Sequence, residues 1–331
     1  MNNLITDVPG LKTGSAEDET LASGVTTVIF DAPAVASIAT LGGAPGVRDT
    51  ALLEPEMSVP GIDALVLSGG SAFGLDAMSG VQDFLLSQGR GFAIGASLVP
   101  IVPGAILFDL NNGGDKNWRA NPYSNLGLAA AQSAISGSFA LGTAGAGFGA
   151  TTSTLKGGLG SASARASEDK IVGALVAVNA IGSATIGAGP HFWAAPFEQG
   201  NEFGGLGLPQ SIGASDLALH TKGGPAPRNE NTTIAIVASN APFSKAQAKR
   251  IAIMAHDGMA RALRPSHAPF DGDIVFAAST GGGGEASSAQ ILEIGALAAD
   301  CLARAIARAI YEATALPFAN ALPDWKGRFG N

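Results

Sequence analysis

Cysteine is nearly absent from this chain, with Cys301 the only one. A lone cysteine excludes an internal disulfide and any thiolate-rich metal site. It falls in an Ala-rich helical pattern, where a buried structural thiol is expected rather than a nucleophile. A cytoplasmic address fits that usage. Charge is also scarce, at 14% of residues, against ~25% in an ordinary soluble domain. The balance is acidic, net −8, with no Lys/Arg cluster, so nucleic acid is not an expected partner. No stretch of ~18 residues is free of Gly and polar side chains, and no membrane span is expected. Met1–Gly10 lacks a basic segment followed by an apolar run, so no signal peptide is expected either. The four histidines, His191, His220, His256 and His267, stand at no metal-ligand spacing. No HExxH motif occurs, and neither a metal nor a cofactor is expected.

What the chain has in excess is glycine, 46 in 331 residues, about twice the usual ~7%. Such glycines allow layers to approach closely and turns to be tight. Hydrophobic residues make up 46%, enough for a sizeable core, and the low-charge surface points to cover by other subunits. The length exceeds a typical ~100–200-residue domain, yet large layered folds reach it as one unit. Strand-like runs rich in Val, Ile, Ala or Thr occur at Thr26–Phe30, Ala36–Leu41, Ala64–Leu67 and Ile171–Val178. Others follow at Ala184–Gly187, Thr233–Ser239 and Ile274–Ser279. Helical patterns are placed at Gly74–Gln88 and near Ala129–Ala134. Ser244 followed by Gln247 is a capping-box signature opening another helix. A long helix is predicted from about Ser287 to Ala313, low enough in charge that both its faces are expected to be covered.

Familiar site motifs fail on spacing. GGSAFG at Gly69–Gly74 has Phe73 where a nucleophile elbow needs Gly, and it reads as a tight turn with Ser71 near a helix start. GAGFG at Gly145–Gly149 and GGGG at Gly281–Gly284 match neither dinucleotide nor phosphate loops. Two features survive. The polar segment His220–Asn231 reads as an exposed, mobile loop, and it ends at Asn231-Thr232-Thr233, where a buried strand begins. Asp271-Gly272-Asp273 stands directly before the strand IVFAAST. Taken singly, the first is a β-forming threonine and the second a pair of turn residues. Paired carboxylates also handle protons when their environments drive their pKa values apart.

Together these segments carry a resemblance. NTTIAIVASNAPFSKAQAKRIAIMAHDGMARAL followed by FDGDIVFAAST resembles the catalytic subunit of the L-aminopeptidase/D-esterase family, which includes the nylon-oligomer hydrolases. LGGAPGVRDTALL, LSGGSAFGLDAMSGV, VPGAILFDL and KGGLGSAS resemble the same family in the same order, over nearly the whole chain. A more distant similarity is to ornithine acetyltransferases.

The resemblance implies an α+β fold, a four-layer α/β/β/α sandwich, and a homo-oligomer, expected as a tetramer. It implies a single domain, 1–331, self-cleaved between Asn231 and Thr232 into an α subunit (1–231) and a β subunit (232–331). Thr232 is then the nucleophile, and Lys156 and Asn179 match positions that line the site. Asp271 and Asp273 match the acidic pair of the nylon-oligomer hydrolases, expected to orient the Thr232 amine and Lys156. Cleavage gives the threonine an α-amine as its base, with a pKa near ~7.7–8.0. The Asn179 amide suits an oxyanion, and Lys156 adds charge there or tunes the amine. Phe108 and Ile106 stand where aminopeptidase members carry a Tyr and a Glu that grips the substrate amine. Amide or peptide hydrolysis is expected, on small aminoacyl peptides, amides or oligoamides, with exo-aminopeptidase specificity in question. The alternatives are acyl transfer of the ornithine acetyltransferase type and a binding homologue without activity. Retention of Thr232, Lys156, Asn179 and both Asp residues argues against the last.

Overall fold

The computed structural model describes residues 1–223 and 231–330. Its strands are β1 Leu11–Asp18, β2 Ser23–Thr40, β3 Val47–Arg48, β4 Ile62–Ser68, β5 Phe92–Ile94 and β6 Ser97–Val99. After these come β7 Gly104–Ile106, β8 Gly158–Arg165, β9 Ile171–Asn179, β10 Thr232–Ser239 and β11 Ile274–Ser279. The α-helices are α1 Ala77–Ser87, α2 Tyr123–Gln132, α3 Lys245–Ala262, α4 Ser288–Tyr311 and α5 Trp325–Phe329.

The two runs expected as separate strands at Thr26–Phe30 and Ala36–Leu41 are one strand, β2. Its first part pairs antiparallel with β1 and β4, and Val35–Thr40 pairs antiparallel with β11. The register shifts between Ile29 and Ala34, where Pro33 has no N–H to give to a ladder. β2 thus belongs to two sheets, β1–β2–β4–β7–β3 and β2–β11–β10–β9–β8.

Three apolar cores separate the layers. Val25, Ile29 and Val66 of the first sheet pack on Met78, Val81 and Ala130 of α1 and α2. Val28, Phe30 and Leu67 meet Leu175, Ile236 and Phe276 between the sheets. Val176, Val237 and Val275 meet Ile251, Met259 and Leu302 of α3 and α4. Along β10, Ile234 and Ile236 face the inter-sheet core while Ala235 and Val237 face the helices, the two-residue period of a strand covered on both sides. This is the expected α/β/β/α sandwich.

Both long helices begin where their caps place them. Ser244 and Ser287 are N-caps with capping boxes closed by Gln247 and Gln290. Cys301 is buried in α4, and burial pushes its thiol up to about 12, as a structural thiol requires. α1 starts later than its pattern, because Ser71–Asp76 forms a 3₁₀ turn. Ala184–Gly187 is not a strand; Thr185 makes only an isolated bridge to Phe192, so no ladder forms. β1 and β8 carry no clear sequence signal, and β8 reads GLGSASAR. Of the expected mobile loop, residues 224–230 lie outside the described residues.

Tertiary packing makes β8 a strand. A Cβ on Gly160 would lie 1.9 Å from the Ala305 carbonyl oxygen of α4, so glycine permits the helix to seat on the sheet. Gly160→Ala is expected to lower stability by about 1–3 kcal/mol, the usual cost of overpacking, read as a reduced urea midpoint. Gly283→Ala, with no atom within 4 Å of its Cβ, is the control and should leave the midpoint unchanged.

Candidate active site

β10 lies between β9 and β11, antiparallel to the first and parallel to the second. That register sets Thr232 directly opposite Asn179. One residue upstream, Asn231 bridges to Asp271. The Gly272 N–H donates to the Asn231 carbonyl oxygen at 3.1 Å, and the Thr232 hydroxyl donates to that same oxygen. A Cβ on Gly272 would stand 2.6 Å from Thr232 Oγ1, so only glycine lets this amide reach the carbonyl beside the hydroxyl. Asn231, Thr232, Asn179, Lys156, Asp271 and Asp273 are all buried.

The Asn179 amide has a defined orientation. Its Oδ1 accepts from the Thr151 N–H and from Lys222 Nζ, both at 3.0 Å, and its Nδ2 donates to the Phe108 carbonyl at 2.8 Å. Lys156 Nζ donates to the carbonyls of Gly147 (3.1 Å) and Gly157 (2.9 Å). Burial pushes its ammonium down to about 7, opposed by the Asp109 carboxyl and reinforced by Lys222. The carboxyl that opposes this shift is that of Asp109. That side chain is itself buried, accepting from Ser23 Oγ at 2.7 Å and the Gly70 N–H at 2.8 Å, with Tyr123 donating to Ser23 at 2.9 Å. Burial raises the Asp109 pKa.

The acidic pair is asymmetric. Asp273 Oδ1 accepts from the Thr233 N–H at 2.9 Å, while Oδ2 accepts from the His267 N–H at 2.9 Å and lies 2.8 Å from His267 Nδ1. Burial works against ionisation of Asp273, but the His267 and Thr233 contacts outweigh it and hold the carboxyl below its usual range. Burial and the adjacent Asp273 carboxylate raise Asp271 instead. Two such neighbours do not both ionise readily, so one proton stays with the pair, on Asp271.

Two cavities open on these residues. One of about 410 Å³ is lined by Lys156, Asn179, Lys222, Asp109 and Leu316. The other, about 220 Å³, is lined by Thr232, Asn231, Ile106, Leu75 and Phe270. Phe108 borders both. Sequence reasoning missed Asp109, Lys222 and His267. Asp109 sat within VPGAILFDL without a visible partner, and the other two are isolated residues of loops. Among the described residues no group of three or more His, Cys, Asp or Glu could hold a metal, and no helix is long and apolar enough to cross a membrane.

The Lys156 shift has a measurable consequence. Below about pH 7 Lys156 is charged in both folded and unfolded chains, and the folded state bears the full cost of the buried charge. Between about 7 and the ordinary 10.5 only the unfolded chain is charged, so it binds more protons and stability rises with pH. Lys156→Met removes this dependence. Its stability relative to wild type should be greatest below pH ~7 and decline steadily toward pH ~10.5 in denaturant titrations. A difference that does not change with pH would mean that Lys156 stays charged when folded.

Comparison with known proteins identifies the family. Residues 3–321 match the model of peptidase family S58. An uncharacterized aminopeptidase of Mycobacterium tuberculosis is 41% identical over 330 residues, covering 94% of each chain. A 6-aminohexanoate-oligomer endohydrolase of a Kocuria species is 29% identical over 290 residues, covering 83% of this chain and 74% of its own. The solved L-aminopeptidase D-Ala-esterase/amidase of Ochrobactrum anthropi, a variant of the Ntn-hydrolase fold, matches with a TM-score of 0.72 at 19% identity, over 98% of this chain and 90% of that one. At that identity the likeness establishes the fold, while the family match spans nearly the whole sequence. The chain belongs to peptidase family S58 and is a hydrolase of that family.

Proposed function

We propose that the chain cleaves itself between Asn231 and Thr232 and then hydrolyses small peptides, amides or oligoamides with Thr232 as nucleophile. The observation that carries this reading is the Thr232 hydroxyl set against the Asn231 carbonyl, which the Gly272 N–H already polarises. The Thr232 oxygen bonds to the Asn231 carbonyl carbon, the C–N bond to Thr232 breaks, and the proton passes to that nitrogen. Water then opens the resulting ester, leaving an Asn231 carboxylate and a Thr232 α-amine. Cleavage need not separate the fragments. β10 and β11, from the later part, are paired on their outer sides by β9 and β2 from the earlier part, so residues 1–231 and 232–331 remain one domain.

In the mature enzyme the α-amine accepts the Thr232 hydroxyl proton, being partly neutral near pH ~7.7–8.0. Oγ attacks the substrate carbonyl, the α-ammonium protonates the leaving amine, and water releases the acyl group by the reverse sequence. This reading assigns the oxyanion to the Gly272 N–H and to the Asn179 amide, whose Nδ2 donates to the Phe108 carbonyl in the uncleaved chain. Asp271 Oδ1, buried without a hydrogen-bond partner among the described residues, is the acceptor for the new amine. Lys156, in the other cavity that Phe108 borders, adds positive charge there only while protonated, below about pH 7. The names of the relatives, aminopeptidase and oligomer endohydrolase, favour water as acceptor over acyl transfer. Homo-oligomeric assembly is part of the same reading, and the exposed apolar hairpin β5–β6, with Phe92 and Ile94, is a surface open to it.

Cleavage is checked on a denaturing gel with N-terminal sequencing. The wild type is expected as two fragments, the second beginning at Thr232, and Thr232→Ala as one intact, inactive chain. An active wild type with Met1 and Asn331 on one chain would refute the nucleophile assignment.

Substrate choice follows from Ile106. Among the described residues lining the cavity at Thr232 no side chain is a carboxylate, and Ile106 and Phe270 form apolar wall. Burying a substrate ammonium there unpaired would cost on the order of several kcal/mol. Amides with a blocked or distant amine are therefore expected to be cleaved at least as well as free α-aminoacyl amides. The measurement is kcat/KM for an N-acetylated against a free aminoacyl nitroanilide. A preference of about a hundredfold for the free amine, ~2.7 kcal/mol, would show that a carboxylate elsewhere grips it.

A further inference from the structure

His267 lies in the loop between α3 and β11, which also carries Asp271, Gly272 and Asp273, and the catalytic reading gives it no role. Its backbone is held at φ 57°, a conformation in which His, Asn and Asp are enriched. Both its amide and its imidazole Nδ1 engage one oxygen of Asp273, at 2.9 and 2.8 Å. The other oxygen accepts the Thr233 N–H at 2.9 Å, one residue from Thr232. Edge-to-face contact with His256, ring centroids 4.9 Å apart, backs the imidazole. His256 Nε2 is 3.0 Å from the Ala39 carbonyl and so donates to it, and burial pushes that ring down to about 4, so it packs as a neutral partner. His267 keeps 20% of its side chain exposed, whereas Asp273 keeps 1%. A hydrogen-bonded line therefore runs from the surface through His267 and Asp273 to the strand that carries Thr232.

We propose that His267 is a positioning residue of this site: through the Asp273 carboxylate it fixes the Thr233 amide, and with it the placement of Thr232 opposite Asn179. The proposal rests on Thr232 being the nucleophile. The same contact decides where the acidic pair keeps its proton. A donor on Asp273 favours its charged form, and the neighbouring Asp271 then holds the proton. Among the described residues, the titratable groups facing His267 are Asp273 and His256 on α3, with Asp271 and the Lys222 that acts on it behind Asp273. Losing the imidazole makes Asp273 harder to ionise, which moves any activity limb that depends on the pair toward higher pH.

The test uses the full chain as wild type, His267→Ala and His267→Asn, the last because Asn can donate from near the Nδ1 position and tolerates positive φ. Self-cleavage rate, the pH profile of kcat/KM and the melting temperature are measured for each. His267→Ala is expected to slow cleavage and turnover by on the order of tenfold or more, as for loss of a charge-assisted hydrogen bond. Its acid limb should move up by about one pH unit, and His267→Asn should recover to within roughly threefold of wild type. A wild-type rate and acid limb in His267→Ala overturns the proposal. So does a loss that follows melting temperature alone with the acid limb unmoved, or a folded His267→Asn no better than His267→Ala. A wild type that cleaves and turns over normally keeps these failures separate from failure of the nucleophile assignment. A wild type that does neither overturns both.

Discussion

The site depends on the pairing of β10 along both its edges. β9 fixes Thr232 against Asn179, and β11 continues the ladder to the bridge between Asn231 and Asp271. A slip of one residue would turn Ile234 and Ile236 out of the inter-sheet core and Ala235 and Val237 into it. Because one-residue slips reverse every side chain on a strand, both flanking cores resist it. The hydroxyl, the carbonyl it faces and the Gly272 amide are thus placed by apolar packing several residues away.

A chain with few charges buries a notable share of them in one region. Asp109, Lys156, Asp271 and Asp273 are all inside, and each is managed differently. Lys156 meets two backbone carbonyls, which accept two of its hydrogen bonds without supplying a full counter-charge, so its proton is held loosely. Asp109 accepts from the Ser23 hydroxyl and the Gly70 amide. Asp271 and Asp273 share a charge, with His267 deciding which of them bears it. Lys222 acts on Lys156 and on Asp271 while bonding to Asn179, so these groups form one electrostatic unit.

Phe108 and Ile106 form the apolar side of this unit. Phe108 borders the polar cavity of Lys156 and Asn179 as well as the smaller one at Thr232, and it offers no hydroxyl to either. Ile106 is packed against the Gly46 backbone region and contributes only apolar surface. Both lie at or beside β7, which pairs with β4, so their positions are set by the first sheet while that of Thr232 is set by the second.

The sequence by itself determined the elements whose signals are local. Ser244 and Ser287 announced their helices because a cap needs only the residues three positions on, and Thr233–Ser239 announced a strand because it is apolar without interruption. It also named Thr232, Asn179, Lys156 and the acidic pair through segments that resemble a known family. Only the tertiary structure decided that β2 is one strand shared by two sheets, that GLGSASAR is a strand beneath α4, and that Ala184–Gly187 finds no ladder. Only it joined Lys156 to Asp109 and Asp273 to His267. Those partners lie far apart in the chain or on loops without a pattern, and burial, which sets their charges, is a property of the packed layers rather than of any run of residues.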